Sequence, residues 1–257
     1  MDIPQVDWPV ELSFLKRQET SLAYRYHQGR DLTIVYTGGF HSNMNGEKAN
    51  AIFKHAVKEG YSALCFDYSA HGQSDGVFAE GNISIWLADT LHLIDKLTSG
   101  DIILCGSSMG GWIAILTALQ LANKVKGLVT IATATDMTEK FIWDKCGAEH
   151  KSQLLNEGFF KWDSDYDEAP YIISMQLIED GRKHLLLDNP IKVLCPVRML
   201  HGTADGDIDW QNSLETMNKI ESEDIHLKLI KGAGHRLSDP EHIIEILQAL
   251  DQVCTRS

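Results

Sequence analysis

Short apolar runs alternate with helical patterns along most of the chain. Six of these runs have the length and the β-favouring composition of buried strands, at residues 32–37, 62–67, 102–106, 125–133, 195–202 and 225–232. Continuous apolar runs are typical of strands that are buried on both faces of a parallel sheet. Three helical patterns lie between them, at residues 46–59, 84–97 and 112–122. The alternation predicts right-handed β–α–β units.

Two further apolar runs precede this alternation. They are ELSFLK at residues 11–16 and SLAYRYH at residues 21–27, with RQET between them. Such close spacing indicates an antiparallel hairpin at one edge of the sheet. The chain is long enough to bury one large core, and its sequence has no internal repeat. We therefore predict one α/β domain over residues 1–257, with a mostly parallel central sheet and helices on both faces.

One segment interrupts the alternation after the sixth predicted strand, which is residues 125–133 when the two runs of the hairpin are counted first. Residues 134–192 contain no run typical of a parallel strand. They are rich in aromatic residues, namely Phe141, Trp143, Phe159, Phe160, Trp162, Tyr166 and Tyr171. Long insertions into compact α/β sheets often serve as lids, so we predict an inserted helical cap over residues 134–192. A pair of ordinary packing helices is the alternative.

Composition narrows the possible partners and the compartment. The formal net charge of −13 argues against nucleic acid and against attachment to anionic lipid, since both need clustered Lys and Arg. The five cysteines are odd in number and scattered, which favours reduced thiols over disulfides or a zinc site. We recognise no signal peptide at the N-terminus and no run of about 18 apolar residues that could span a membrane. The expected location is cytoplasmic, and the oligomeric state stays open.

A candidate nucleophile lies between the apolar run 102–106 and the following helix. The pattern Gly-x-Ser-x-Gly fits one register, Gly106-Ser107-Ser108-Met109-Gly110, because centring it on Ser107 would require glycine at Cys105. A nucleophile on a tight strand-to-helix turn needs small neighbours two residues away on either side. Ser108 is therefore the predicted nucleophile, and an ordinary turn serine is the alternative.

A serine hydroxyl near neutral pH needs a base, and that base needs an orienting acid. His235 follows the last predicted strand in a glycine-flanked loop, which is where this arrangement places its histidine. Asp205 follows the preceding strand and is the predicted acid, with Asp136 as the minority alternative. Asp207 and Asp209 are interpreted as solvated charges of the same loop or as charges at the N-terminus of the next helix.

The developing negative charge on a carbonyl oxygen needs two backbone N–H donors. Met109, directly after the predicted nucleophile, would supply one of them. Gly38 and Gly39 let the loop after residues 32–37 approach closely, so Phe40 is the predicted second donor. A simple glycine turn is the alternative interpretation of this loop.

Five stretches together resemble a known family, the serine α/β-hydrolases. They are YTGGFHSNMNGEKA, CFDYSAHGQSDG, GSSMGGWIA, MLHGTADGDIDW and GAGHRLSD. More narrowly, they are similar to the mitochondrial branch that comprises acyl-protein thioesterases and acyl-glucuronide esterases, and to its bacterial relatives. The resemblance runs from about Leu32 to the end of the chain. One departure is GDIDW, where relatives tend to have proline before the tryptophan.

The resemblance implies an α/β-hydrolase fold with Ser108, Asp205 and His235 as catalytic triad. It also implies hydrolysis of esters or thioesters of an acylated or small-molecule substrate, through an acyl-enzyme and without metal or organic cofactor. The aromatic cap suggests an apolar pocket. Its predicted lining residues are His41, Trp112, Phe159, Phe160 and Trp162.

Two other functions stay open from the sequence. A serine aminopeptidase would need an acidic anchor for the substrate amine, and the cap offers Glu157, Asp163, Asp165 and Asp167. These acidic residues equally fit a solvated face. A ligand-binding module that keeps the fold without turnover is the alternative from a different class.

Overall fold

The structure, a computed structural model, describes residues 8–162 and 170–255. Within them the strands are β1 (Ser13–Arg17), β2 (Thr20–His27), β3 (Arg30–Thr37), β4 (Tyr61–Phe66), β5 (Asp101–Ser107), β6 (Val125–Ile131), β7 (Phe159–Trp162), β8 (Tyr171–Ser174), β9 (Val197–Gly202) and β10 (Ile225–Ile230). The α-helices are α1 (Glu47–Lys58), α2 (Ile83–Leu97), α3 (Met109–Gln120), α4 (Ala148–Glu157), α5 (Met175–Gly181), α6 (Gln211–Lys219) and α7 (Pro240–Cys254). A short π-helix spans Thr138–Trp143, and two 3-10 helices span Phe78–Glu80 and Arg182–His184.

Eight strands form the central sheet in the order β1-β2-β4-β3-β5-β6-β9-β10. β1 and β2 form an antiparallel hairpin, and β2 also runs antiparallel to β4. The other neighbouring strands are parallel, as their apolar runs predicted. The predicted mostly parallel sheet with a hairpin at one edge is confirmed.

Apolar side chains form one layer on each face of the sheet. Trp86 of α2 and Trp112 of α3 are fully buried in one layer. Phe53 of α1 and Leu250 of α7 are fully buried in the other. Helices therefore cover both faces, as predicted. α3 is apolar around its whole circumference, which fits a helix buried on all sides.

The inserted segment leaves the sheet after β6, and the chain returns to the sheet at β9. It is not wholly helical as predicted, because β7 and β8 pair as an antiparallel hairpin. Burial alternates along this hairpin, with Phe160 and Ile173 buried while Phe159 and Ile172 are exposed. That period of two belongs to strands rather than helices. The limits of the cap at residues 134–192 stay a prediction.

Candidate active site

Ser108 occupies the sharp turn between β5 and α3. Its backbone has φ 55° and ψ −123°, in the left-handed half of φ space that non-glycine residues rarely adopt. A Cβ on Gly106 would lie 2.3 Å from the carbonyl oxygen of Gly110. A Cβ on Gly110 would lie 2.1 Å from the carbonyl oxygen of Thr37. Both flanking glycines are therefore required sterically, as the sequence pattern indicated.

Three loops at the carboxyl ends of parallel strands bring the predicted serine, histidine and aspartate together. Ser108 Oγ lies 3.0 Å from His235 Nε2. His235 Nδ1 lies 2.7 Å from Asp205 Oδ2. Because a carboxylate accepts, Nδ1 carries the proton and Nε2 is left to accept from the Ser108 hydroxyl. This arrangement allows His235 to remove the Ser108 proton.

Asp205 is buried and receives hydrogen bonds at both oxygens. Oδ1 accepts from the backbone N–H groups of Asp207 and Ile208, each at 2.9 Å. Oδ2 accepts from His235 and also from His201 Nε2 at 3.0 Å. Burial alone would raise the pKa of Asp205, but these hydrogen bonds from His201, His235 and Ile208 hold that pKa well below its usual range. Asp205 is therefore ionised at neutral pH.

Asp136, the alternative acid, has different partners. Its carboxylate accepts the N–H groups of Leu186 and Leu187 at 2.8 and 3.0 Å. Burial raises the pKa of Asp136, and these hydrogen bonds oppose the rise. The carboxylate thus ties the loop after β6 to the end of the inserted segment. Asp209 accepts from the Gln211 N–H at the start of α6, as expected for a charge at the N-terminus of that helix.

The loop between β3 and α1 passes directly over Ser108. A Cβ on Gly39 would lie 3.3 Å from Ser108 Cβ, so only glycine lets the backbone approach this closely without displacing it. Phe40 follows in this loop, and its ring packs edge-on against Phe78 at 5.0 Å. Met109 directly follows Ser108 and begins α3. The oxyanion role of the Phe40 and Met109 N–H groups stays a prediction.

Two buried side chains after β4 hold that loop in place. Asp67 Oδ1 accepts the Met44 N–H at 2.6 Å, and its Oδ2 accepts the Gln73 N–H at 2.8 Å. His71 Nε2 accepts the His41 N–H at 3.2 Å. Burial raises the pKa of Asp67 to about 6 and lowers the pKa of His71 to about 4. The sequence analysis gave Asp67 no role, although it lies in the CFDYSAHGQSDG stretch.

A cavity of about 740 Å³ opens over Ser108 and His235, a size typical of small-molecule sites. One wall is apolar and comes largely from the inserted segment, with Phe40, Met137, Phe141, Ile142, Trp162, Tyr171, Ile173 and Ile208. The other wall is polar, with Ser42, Asn43, Glu47, Lys48, Arg236 and Ser238. Burial lowers the pKa of Lys48 to about 8, and its Nζ donates to the Arg236 carbonyl. The cavity lining therefore combines apolar residues, mostly from the inserted segment, with polar residues from the loops around α1 and His235.

Two of the predicted pocket residues, His41 and Trp162, line this cavity. Trp112 lies in the core instead, where its Nε1 donates to the His184 carbonyl at 3.2 Å. Phe160 is buried and stacks on His150 with ring centroids 4.6 Å apart. Phe159 is 40% exposed on the outer face of the β7–β8 hairpin. The prediction that Trp112, Phe159 and Phe160 line the pocket is therefore wrong.

The structure describes only one of the acidic residues considered as an aminopeptidase anchor. Glu157 is exposed at the end of α4. Asp163, Asp165 and Asp167 lie outside the described residues. The acidic residues of the described cavity wall are Glu47 and Asp207.

Within the described residues, two groups have ligand atoms close enough together for a metal ion. They are Asp205, Asp207 and His235, and Asp239, Glu241 and His242. In the first group Asp205 and His235 are already hydrogen-bonded to each other. A metal ion there would have to displace the contact that orients His235.

Comparison with known proteins places the chain in a family. A family model described as "Serine aminopeptidase, S33" matches residues 30–168, more than half of the chain. Palmitoyl-protein thioesterase ABHD10, mitochondrial, from Rattus norvegicus is 37% identical over 94% of this chain and 82% of its own length. The chain belongs to the serine α/β-hydrolases. The predicted family, fold and ester or thioester hydrolase class are therefore confirmed.

Solved structures agree with this α/β-hydrolase assignment. A hydrolase from Agrobacterium vitis S4 superposes with a TM-score of 0.91 at 34% identity, covering 96% of this chain and 99% of its own. Alpha/beta hydrolase domain-containing protein 10 from mouse superposes with a TM-score of 0.88 at 35% identity, covering 95% of this chain and 98% of its own.

The location of this α/β-hydrolase is a separate matter. The names of its ABHD10 relatives place those proteins in mitochondria. Among the described residues, every helix falls short of the length and apolar content that a membrane-spanning helix needs. The cytoplasmic location predicted from the sequence stays a prediction.

Proposed function

We propose that this α/β-hydrolase cleaves long-chain acyl thioesters through an acyl-enzyme on Ser108. The observation that carries the proposal is the short chain of hydrogen bonds from Ser108 through His235 to Asp205, beside the apolar wall of the cavity. An activated hydroxyl in this position favours turnover over ligand binding alone. Ester hydrolysis by the same residues is the broader activity of the same site.

Acylation follows from the positions of three side chains. Ser108 Oγ attacks the thioester carbonyl carbon while His235 Nε2 takes the hydroxyl proton. Ionised Asp205 stabilises the imidazolium that forms and holds it in the required orientation. The N–H groups of Phe40 and Met109 stabilise the negative charge on the carbonyl oxygen.

Deacylation uses the same groups in reverse. It begins once the carbon–sulfur bond has broken and His235 has given its proton to the departing thiolate, which completes acylation. A water molecule then attacks the Ser108 ester, and His235 takes the proton of that water. The ester bond then breaks while His235 gives that proton to Ser108 Oγ, which restores the Ser108 hydroxyl and releases a carboxylic acid.

The apolar wall supports a long acyl chain as the bound group. Phe141, Ile142, Trp162 and Ile173 of the inserted segment supply apolar surface within one cavity. Burying a methylene contributes about 0.8 kcal/mol, so each added carbon that contacts this wall strengthens binding. The relatives named palmitoyl-protein thioesterase indicate the same acyl group.

Hydrolysis of matched butyryl and palmitoyl thioesters tests the proposal, with the Ser108→Ala rate subtracted. We expect kcat/KM to be higher for the palmitoyl substrate. Trp162→Ala removes apolar surface from the cavity and should lower palmitoyl kcat/KM roughly tenfold, with little effect on butyryl turnover. Phe159→Ala, on the outer face of the same hairpin, is the matched control and should leave both rates unchanged.

Three results would contradict the proposal. One is a preference for the butyryl substrate. Another is a rate that survives in Ser108→Ala. The third is faster cleavage of an aminoacyl anilide than of either thioester, which would favour the aminopeptidase alternative.

A further inference from the structure

A second histidine contacts the carboxylate that orients His235. His201, at the end of β9, is fully buried. Its Nε2 lies 3.0 Å from Asp205 Oδ2 and 3.1 Å from the Ile208 carbonyl oxygen. Its Nδ1 lies 2.7 Å from the Ser213 hydroxyl on α6. The ring therefore joins β9, the loop of Asp205 and α6.

The partners of His201 determine which nitrogen carries the proton. A carboxylate and a carbonyl oxygen can only accept, so Nε2 carries the hydrogen and donates to both. Nδ1 is then the acceptor of the Ser213 O–H. Asp205 Oδ2 thus receives two imidazole N–H groups, one from His201 and one from His235.

Sharing one oxygen between two donors has an electrostatic consequence. Each N–H that points at Oδ2 withdraws negative charge from it, so His201 weakens the attraction between Asp205 and protonated His235. The same contact, together with the two backbone N–H groups at Oδ1, fixes the rotation of the Asp205 carboxylate. His201 is held in turn by Ser213, which is also fully buried.

We propose that His201 is a positioning residue that orients Asp205 and limits how strongly this carboxylate stabilises protonated His235. The proposal rests on the proposed function, because it assigns His235 as the group that exchanges protons with Ser108. His201 acts through Asp205 and touches neither the substrate nor Ser108 in this role. Its effect should therefore appear in the pH dependence of catalysis.

Other charged or titratable groups around His235 line the same cavity and stay unchanged in the test. They are His41, Glu47, Lys48, Lys145, Asp207 and Arg236. A change in the pH profile that follows substitution of His201 therefore arises from the contacts that His201 itself makes.

Two substitutions of His201 separate the contact with Asp205 from the contact with Ser213. In His201→Gln the amide nitrogen reaches about as far as Nε2, so a donor to Asp205 is kept. In His201→Asn the amide reaches only as far as Nδ1, so a partner for Ser213 is kept and the donor to Asp205 is lost. The pair therefore changes the Asp205 contact while keeping position 201 polar.

The measurement is the pH profile of palmitoyl-thioester kcat/KM, whose acid limb reports protonation of His235 in the free enzyme. In His201→Asn we expect kcat/KM at its optimum to fall roughly tenfold, the size expected for losing a hydrogen bond to a charged group. The acid limb should move to higher pH, because Asp205 then stabilises protonated His235 more strongly. His201→Gln should keep most of the rate and should move the acid limb less than His201→Asn does.

A double variant with Asp205→Asn tests whether His201 acts through Asp205. Adding His201→Asn to Asp205→Asn should cost no further activity, since the carboxylate that His201 acts on is gone. If His201→Gln and His201→Asn lose kcat/KM equally and the acid limb stays at the same pH in both, the result would overturn the proposal and favour a simple packing role for His201. Unchanged kinetics in His201→Asn would also overturn it.

A further variant tests the proposal if His201→Asn does not fold. Ser213→Ala leaves His201 in place but removes the donor to Nδ1, and should move the acid limb in the same direction by a smaller amount. An unmoved limb there overturns the proposal. Fluorophosphonate labelling of wild-type Ser108 separates the two proposals. A wild-type enzyme that is neither labelled nor active would overturn both. A wild-type enzyme that is labelled and active, with no shift of the acid limb in the variants, would overturn the role of His201 alone.

Discussion

Ser108 shows how one backbone conformation makes a short pattern informative. With φ 55° at the serine, the residues two positions away come within contact of each other and of β3, so only glycine fits there. The sequence therefore distinguished Ser108 from Ser107. It also predicted that His235 and Asp205 lie near Ser108, because both follow strands whose apolar runs are unambiguous. The role of His201 was not predictable, since a strand-end histidine looks the same with or without a partner.

Substituting Gly110 tests this steric argument. Gly110→Ala would place a Cβ 2.1 Å from the Thr37 carbonyl oxygen, a backbone atom that cannot move aside alone. We expect a loss of unfolding free energy of about 3 kcal/mol and loss of thioesterase activity, measured by urea unfolding and kinetics. Gly147→Ala has no atom within 4 Å of the added Cβ and is the control, with an expected change below about 1 kcal/mol. Equal stability of the two variants would refute the argument.

At the scale of elements, prediction succeeded for the sheet and partly failed for the inserted segment. The runs of β5 and β6 are almost wholly buried, so their apolar patterns are continuous and clear. The strands β7 and β8 have four residues each, too few for a pattern of period two to stand out among aromatics. The prediction that Trp112 lines the pocket fails because Trp112 lies in α3 and packs in the core.

The loop over Ser108 depends on two buried titratable groups whose effects on stability oppose each other. His71 has a pKa of about 4, below the unfolded value of about 6.5, so its contribution to stability is complete above pH 6.5 and is lost as the pH falls towards 4. Asp67 has a pKa of about 6, above its unfolded value, so its contribution is complete in acid and is lost as the pH rises through 6.

Removing His71 should isolate its share of this pH dependence. Between pH 7 and pH 5, His71 should account for about 2 kcal/mol of lost unfolding free energy. In His71→Phe the difference in urea-unfolding free energy between these two pH values should therefore shift by about that amount. His226→Gln changes an exposed histidine and should keep the wild-type difference. If His71→Phe shows the same difference in unfolding free energy between pH 7 and pH 5 as the wild type, the result would contradict the contribution assigned to His71.

On the scale of the whole molecule, the two walls of the cavity come from different parts of the chain. The inserted segment between β6 and β9 supplies most of the apolar wall. The loops around α1 and His235 supply the polar wall, with Lys48 and Arg236 in a chain whose net charge is −13. The sequence predicted an aromatic cap but not this division, because it depends on which face of the β7–β8 hairpin turns towards Ser108.

The most direct test of the central claim is to locate the covalent adduct formed with a fluorophosphonate probe by mass spectrometry. The account predicts one adduct, on the peptide that carries Ser108, together with palmitoyl-thioester hydrolysis in the unlabelled enzyme. Ser107→Ala should keep both the adduct and the activity, and Ser108→Ala should lose both. An adduct that persists in Ser108→Ala, or hydrolysis that survives that substitution, would contradict the account.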